Sequence, residues 1–145
     1  MIMNAKKVHY SRQREQIYAY LTERSDHPTA EQVYTHMKKE LPNLSLGTVY
    51  RNLKFLEDSG KIRRISTSQS AERYDWRCED HAHFVCRQCG RVRDLHKINP
   101  ETVGTAYGVT EKGRILFATV TVEGICEDCL ETEAEDEKMI ACGAK

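Results

Sequence analysis

Apolar positions follow a helical period up to residue 60 and a strand period beyond it. The first helical stretch spans 11–23, with Ser11 as an N-cap and Ile17, Tyr20 and Leu21 on one face. Thr29 followed by Gln32 has the form of a capping box. Behind it Ala30, Val33, Tyr34, Met37 and Leu41 form one apolar stripe, which Pro42 and Asn43 stop. A third helix starts at Ser45 and turns Leu46, Val49, Leu53 and Leu56 inward; Gly60 stands where a left-handed residue closes a helix. Lys61–Ile65 and Arg73–Trp76 then read as two short strands around the polar loop 66–70. Three helices and a two-stranded wing make a winged helix-turn-helix.

The second half is strand-rich. His81–Val85, Val92–Leu95 and a long alternating run, Ile115–Val122, are expected strands, with a short helix over Pro100–Tyr107. The tail from Glu131 is expected to be helical at first and frayed at its end. The fold class is therefore α+β: a winged-helix domain over 1–76, a hinge at 77–80 and a small α+β domain over 81–145.

Composition changes this picture only a little. The 145 residues are 39% hydrophobic and 30% charged, ordinary for a water-soluble chain. No apolar run approaches the roughly 18 residues of a membrane helix. Met1–Tyr10 lacks the apolar core of a signal peptide. A cytoplasmic location is expected, where thiols stay reduced and paired cysteines read as metal sites. The net charge is zero, yet residues 1–75 carry 13 basic and 9 acidic side chains and the remainder carries 9 and 13. A basic half suits an anionic partner. The outward face of the third helix offers Thr48, Tyr50, Arg51 and Lys54 to base edges, and Lys61, Arg63 and Arg64 on the wing suit phosphates. The plainer reading of the same charges is a solvated face, and many winged helices bind proteins instead.

The densest chemistry lies in Cys86-x-x-Cys89 and Cys126-x-x-Cys129, with 36 residues between the pairs. Four thiolates on two tight turns match a closed, structural tetrahedral Zn²⁺ site. A redox pair is the rival, but the βαβ context of that motif is missing. Cys78 and Cys142 are left over as thiols. His81 and His83 lie two apart on an expected strand, so both leave one face and can address one ion, or simply form a polar face. Asp94 lies on the strand that folds back beside them, Asp75 ends the wing and His27 precedes Pro28; singly, each is an ordinary surface or turn residue. His9, His36 and His96 are read as ordinary surface histidines.

Together these segments resemble the ferric uptake regulator family of metal-dependent bacterial repressors. The resemblance rests on His27-Pro28-Thr29-Ala30, on Ser45-x-x-Thr48-Val49-Tyr50-Arg51-x-Leu53, on Tyr74 through Asp80-His81-x-His83-x-x-Cys86-x-x-Cys89-Gly90, and on Gly124-x-Cys126-x-x-Cys129. It covers residues 11–130. It implies a homodimer, held by the second domain, that binds an AT-rich inverted repeat of operator DNA and blocks transcription when loaded with metal. It implies structural zinc on Cys86, Cys89, Cys126 and Cys129, and a regulatory Fe²⁺ or Mn²⁺ on His27, Asp75, His81, His83 and Asp94. Iron-sensing members usually carry Glu where Asp75 and Asp94 stand, and zinc-sensing members tend to bring a Cys into the site. Three histidines and two aspartates are most similar to the peroxide-sensing branch, in which peroxide oxidises a ligand histidine and the repressor leaves DNA. An iron-responsive repressor without peroxide sensing is the alternative. A third metal site found in some members is incomplete here: Asp80 and Glu101 are present, but Ala82 and Ala118 offer no ligand atoms. A metalloenzyme is disfavoured, because five ligands nearly fill the site and no nucleophile motif is present. A thiol redox protein is the remaining class, and reversible zinc loss under mild oxidation would mark it.

Overall fold

Each of the three N-terminal helices is started by its own hydroxyl cap. In the computed structural model, which describes residues 10–68, 71–109 and 113–134, α1 (Arg12–Thr22), α2 (Ala30–Met37) and α3 (Leu46–Asp58) begin at Ser11, Thr29 and Ser45. The capping box is complete: the Gln32 N–H donates to Thr29 Oγ1 at 3.3 Å and the Thr29 N–H to Gln32 Oε1 at 2.9 Å. At the other end of α3, Gly60 takes φ +71°, with the Gly60 N–H bonded to the Glu57 carbonyl and the Lys61 N–H to the Leu56 carbonyl. This paired closure requires the left-handed residue that glycine supplies without strain.

α2 ends at Met37, earlier than the apolar stripe through Leu41 predicts. Residues 38–40 tighten into turns in which Lys39 and Glu40 bond back to the His36 and Met37 carbonyls, and the residue before Pro42 is barred from the helical region. Leu41 still packs against the core, and Leu44, unassigned by the helical pattern, is only 1% exposed within it. Ile17, Leu21, Val33, Met37, Val49, Leu53 and Leu56 complete that core together with Ile62 and Tyr74 of the wing. Leu46, expected inward, is half-buried.

The wing is the antiparallel pair β1 (Arg63–Ile65) and β2 (Arg73–Asp75), shorter than expected because Ile62 belongs to the helical core. Alternation along a strand sends Tyr74 to that core, and Ile65 and Asp75 to the opposite face. There Ile65 packs on Val85 and Val92 of the second half.

The second half is a three-stranded sheet ordered β4-β3-β5, made of β3 (His81–Cys86), β4 (Val92–Lys97) and β5 (Val120–Gly124), with α4 (Pro100–Ala106) between β4 and β5. β3 runs antiparallel to β4 and parallel to β5. The long strand expected over Ile115–Val122 is corrected: among the described residues, pairing begins at Ala82↔Val120, no strand partner is found for 115–119, and Leu116 and Phe117 are exposed. A last helix runs over 127–134, so the start of the tail from Glu131 is helical as expected, and the helix itself begins inside the second Cys turn. His9, residues 69–70 of the wing loop, the end of the acidic tail and Cys142 lie outside the described residues. Among the described residues, no helix is long and apolar enough to cross a membrane.

Candidate metal centres

The two cysteine turns meet at the end of the sheet. β3 delivers Cys86 and the β3–β4 turn delivers Cys89; Gly90 at φ +71° closes that turn, its N–H bonded to the Cys86 carbonyl at 2.9 Å. β5 runs directly into Cys126 and Cys129. The sulfur atoms of Cys86 and Cys129 lie 3.8 Å apart, and those of Cys89 and Cys126 lie 3.7 Å apart. A disulfide needs about 2.05 Å. Four sulfurs placed tetrahedrally about 2.3 Å from one centre lie about 3.8 Å apart. Backbone N–H groups, including that of Cys126 at 3.3 Å, point at Cys86 Sγ and lower its pKa to about 6. The turn thus favours a thiolate at Cys86, while the bond with Cys126 and burial push the Cys129 thiol up to about 12, so the four close sulfurs share their protons rather than ionise together. Arg91 and Asp128 form an ion pair across the two turns. The Cys₄ set is consistent with a structural zinc.

A second cluster lies where the wing meets the sheet. His81 and His83 leave one face of β3, and His83 pairs in register with Asp94 on β4. A register shift between His81 and His83 places an extra β4 residue opposite them and re-aims the strand locally. Asp75 arrives from β2. His27 is carried in by a loop strapped along that strand: the Tyr74 N–H donates to the Pro28 carbonyl at 3.1 Å, the Arg73 guanidinium to the His27 carbonyl at 3.1 Å, and the Trp76 indole N–H to the Arg24 carbonyl at 3.1 Å. His27 holds φ +51°, a left-handed conformation rare for a side-chain-bearing residue and disfavoured before proline. Such backbone persists where surrounding contacts over-determine it, characteristically at functional sites.

One donor atom from each of His27, Asp75, His81, His83 and Asp94 lies within 4.8 Å of all the others. His27 Nε2 is 2.7 Å from Asp94 Oδ1; His81 Nε2 is 3.1 Å from Asp75 Oδ2 and 3.2 Å from Asp94 Oδ1; His83 Nε2 is 3.4 and 3.6 Å from the same two oxygens. Donors about 2.1 Å from a shared centre and at right angles lie about 3 Å apart, so the set fits a small divalent ion. Asp75 Oδ2 and His83 Nε2 are buried without a hydrogen-bond partner, a cost of about 1–3 kcal/mol each that an ion removes. His81 Nδ1 lies 2.8 Å from the Glu79 carbonyl, an arrangement that places the proton there and turns the Nε2 lone pair to the cluster. Burial lowers the pKa of His27 despite the nearby Asp94 and Asp75, so its ring stays neutral and able to ligate. For Asp75, burial pushes upward, but the close His83 ring, the Arg77 N–H and the His27 and His81 rings prevail and hold its carboxyl below the ordinary range.

Two contributors carry no motif and escape sequence reasoning. One is Arg73, which grips the His27 carbonyl. The other is Arg77, whose backbone N–H donates to Asp75 Oδ1 at 2.8 Å and whose guanidinium Nη2 lies 2.6 Å from Asp94 Oδ2. His36 stacks on Tyr20, and His96, two residues beyond Asp94 on β4, is exposed and is not one of the five clustered donors. Asp80 pairs with Arg63 at 2.9 Å. Cys78 donates its thiol to the Gly60 carbonyl at 3.1 Å, and burial raises its pKa.

On α3, Tyr50, Arg51 and Lys54 are exposed and Thr48 is half-buried. Tyr50 donates its hydroxyl to Glu31 Oε1 at 2.6 Å, Arg51 bonds Thr48 Oγ1 at 3.1 Å, and Lys54 pairs with Asp58. Lys61 lies over the Tyr18 ring at 5.3 Å. Arg63 and Arg64, both read as suiting phosphates, are adjacent on β1 and leave opposite faces of the wing. Arg63 turns to Asp80, while Arg64 pairs with Glu57 and Glu72.

Comparison with known proteins bears on both centres. The model of the ferric uptake regulator family matches residues 5–115. The peroxide operon regulator of Bacillus subtilis is 29% identical over 121 residues, 83% of either chain. The peroxide-responsive repressor PerR of Staphylococcus aureus is 30% identical over 119 residues, 81% of this chain and 79% of that one. Among solved structures, the Helicobacter pylori ferric uptake regulator Fur, with three functional metal binding sites, superimposes with a TM-score of 0.74 at 28% identity, covering 87% of this chain and 85% of that one. The Campylobacter jejuni peroxide stress regulator does so with a TM-score of 0.70 at 28% identity, over 81% and 88%.

Proposed function

The chain belongs to the ferric uptake regulator family, and from that premise we propose that it is a peroxide-released repressor. It is a metal-dependent transcriptional repressor and not an enzyme. In the finer reading, the protein works in the cytoplasm as a homodimer on operator DNA. Its second domain, 81–145, carries the dimer contacts and the zinc clip, and 77–80 hinge it to the winged helix of 1–76. The regulatory ion is Fe²⁺ or Mn²⁺ on His27, Asp75, His81, His83 and Asp94.

The observation that carries this reading is the convergence of three imidazoles and two carboxylates, without a sulfur, across the meeting of the two halves. Nitrogen and oxygen donors suit Fe²⁺ and Mn²⁺. His27 and Asp75 belong to the helical half, and His81, His83 and Asp94 to the sheet. Holding one ion in common fixes the angle between the halves, and in a dimer that angle sets the spacing of two α3 helices against two half-sites. A bound ferrous ion supplies one-electron chemistry toward peroxide beside its own histidine ligands. The peroxide regulators of B. subtilis and S. aureus, similar over four-fifths of this chain, support that branch.

Mass spectrometry of peptides after peroxide treatment tests it. The Fe²⁺-loaded protein is expected to gain one oxygen on the peptide holding His81 and His83, or on that holding His27, and DNA binding is expected to fall in step. The Mn²⁺-loaded protein should keep both. Unmodified histidines and full DNA affinity in the Fe²⁺ form would replace this reading with an iron-responsive repressor.

A further inference from the structure

Both carboxylates of the His/Asp cluster have one oxygen already engaged, and by the same residue. Asp75 Oδ1 accepts the Arg77 N–H at 2.8 Å, and Asp94 Oδ2 lies 2.6 Å from the Arg77 guanidinium. The remaining oxygens, Asp75 Oδ2 and Asp94 Oδ1, are the two that His81 and His83 approach, while His27 Nε2 lies 2.7 Å from Asp94 Oδ1 and 3.8 Å from Asp75 Oδ1. Asp75 comes from β2 and Asp94 from β4, so Arg77 ties one carboxylate of each half from the link between β2 and β3.

We propose that Arg77 is a positioning residue that limits each carboxylate to one oxygen toward the regulatory ion and keeps that ion exchangeable. The inference rests on the metal reading of this cluster. Two effects act in the same direction. The guanidinium occupies Asp94 Oδ2, which could otherwise turn to the ion as a second oxygen ligand. Its positive charge also repels a divalent cation held a few ångströms away, weakened by solvent because the Arg77 side chain is 45% exposed. The opposing effect is loss of order. It is small for Asp94, which β4 and the His27 and His81 contacts already hold, and absent for Asp75, whose bond is to the backbone N–H and survives any change of side chain other than proline. Truncating Arg77 therefore tightens the site, unlike the usual loss on removing a group behind a ligand set.

The test is Mn²⁺ titration of the zinc-loaded protein, with the electron paramagnetic resonance spectrum of the bound Mn²⁺ recorded for wild type, Arg77→Ala and Arg77→Lys. Arg77→Ala is expected to bind Mn²⁺ roughly tenfold more tightly, the lower end of the range over which groups behind a ligand set tune it. Its spectrum should also change, as Asp94 gains a second contact. Arg77→Lys, which keeps a charged donor, should move both readouts back toward wild type. Unchanged or weaker affinity with an unchanged spectrum in Arg77→Ala would overturn the role of Arg77 and leave the metal site standing. If the wild type binds no Mn²⁺ at this cluster, the metal reading fails and the Arg77 inference falls with it.

Discussion

Cys126 shows how much one side chain holds in place here. It is 4% exposed, its sulfur lies 3.7 Å from that of Cys89, and its backbone N–H supports the Cys86 thiolate. A closed Cys₄ site contributes folding free energy directly, since the unfolded chain has no assembled ligand set. Cys126→Ser is expected to leave zinc-poor protein with a disordered second half, whereas the wild type should retain its zinc under mild chelation. Metal analysis and circular dichroism read both; full zinc in a folded variant would sink the assignment. His27 is the counterpart in the second cluster. Its φ of +51° is paid by the Arg73, Pro28 and Trp76 straps rather than by local preference.

At the scale of elements, α3 and the wing present different kinds of contact. Helix spacing turns Val49, Leu53 and Leu56 into the core and leaves Tyr50, Arg51 and Lys54 outside. Arg51→Ala is expected to weaken operator binding by about 1–3 kcal/mol and to relax preference at the contacted base pair. Lys61→Ala should weaken every sequence alike and flatten the salt dependence, as loss of a phosphate contact does. Arg63→Ala should leave the salt slope unaltered, because strand alternation turns Arg63 to Asp80. Fluorescence anisotropy across a salt series separates the three, and identical slopes for Lys61→Ala and wild type would move the phosphate surface elsewhere.

At the scale of the whole molecule, the two halves are joined by more than the chain. Ile65 of the wing packs on Val85 and Val92, the Ser68 N–H donates to Glu123 Oε1 of β5 at 3.1 Å, and Arg63 pairs with Asp80. An ion shared between Asp75 with His27 and the three sheet ligands adds a further tie to these contacts and so weighs on the arrangement. His27→Ala should retain part of the metal affinity through the other four donors but lose the coupling of metal to DNA affinity. Small-angle scattering should show a broader arrangement for the chelator-treated wild type than for the Mn²⁺-loaded protein. Superimposable profiles with metal-independent DNA binding would contradict the switch.

What the sequence determined by itself is what depends on near neighbours. Ser11, Thr29 with Gln32, Ser45 and Gly60 mark helix ends because caps act over three or four residues, and the two Cys-x-x-Cys turns declare a tetrahedral site because their spacing is local. The extents that failed depended on distant partners. β5 is shorter than its alternating run because its pairing with β3 begins only at Ala82↔Val120. For the second cluster, the sequence reading reached the five residues through family resemblance, since His27, Asp75 and Asp94 are singly unremarkable. Only the tertiary structure brings them within 4.8 Å of His81 and His83. It alone brings in Arg77, which has no motif, because a hydrogen bond between a β2–β3 link and a β4 carboxylate is decided by how strands register and pack rather than by spacing along the chain.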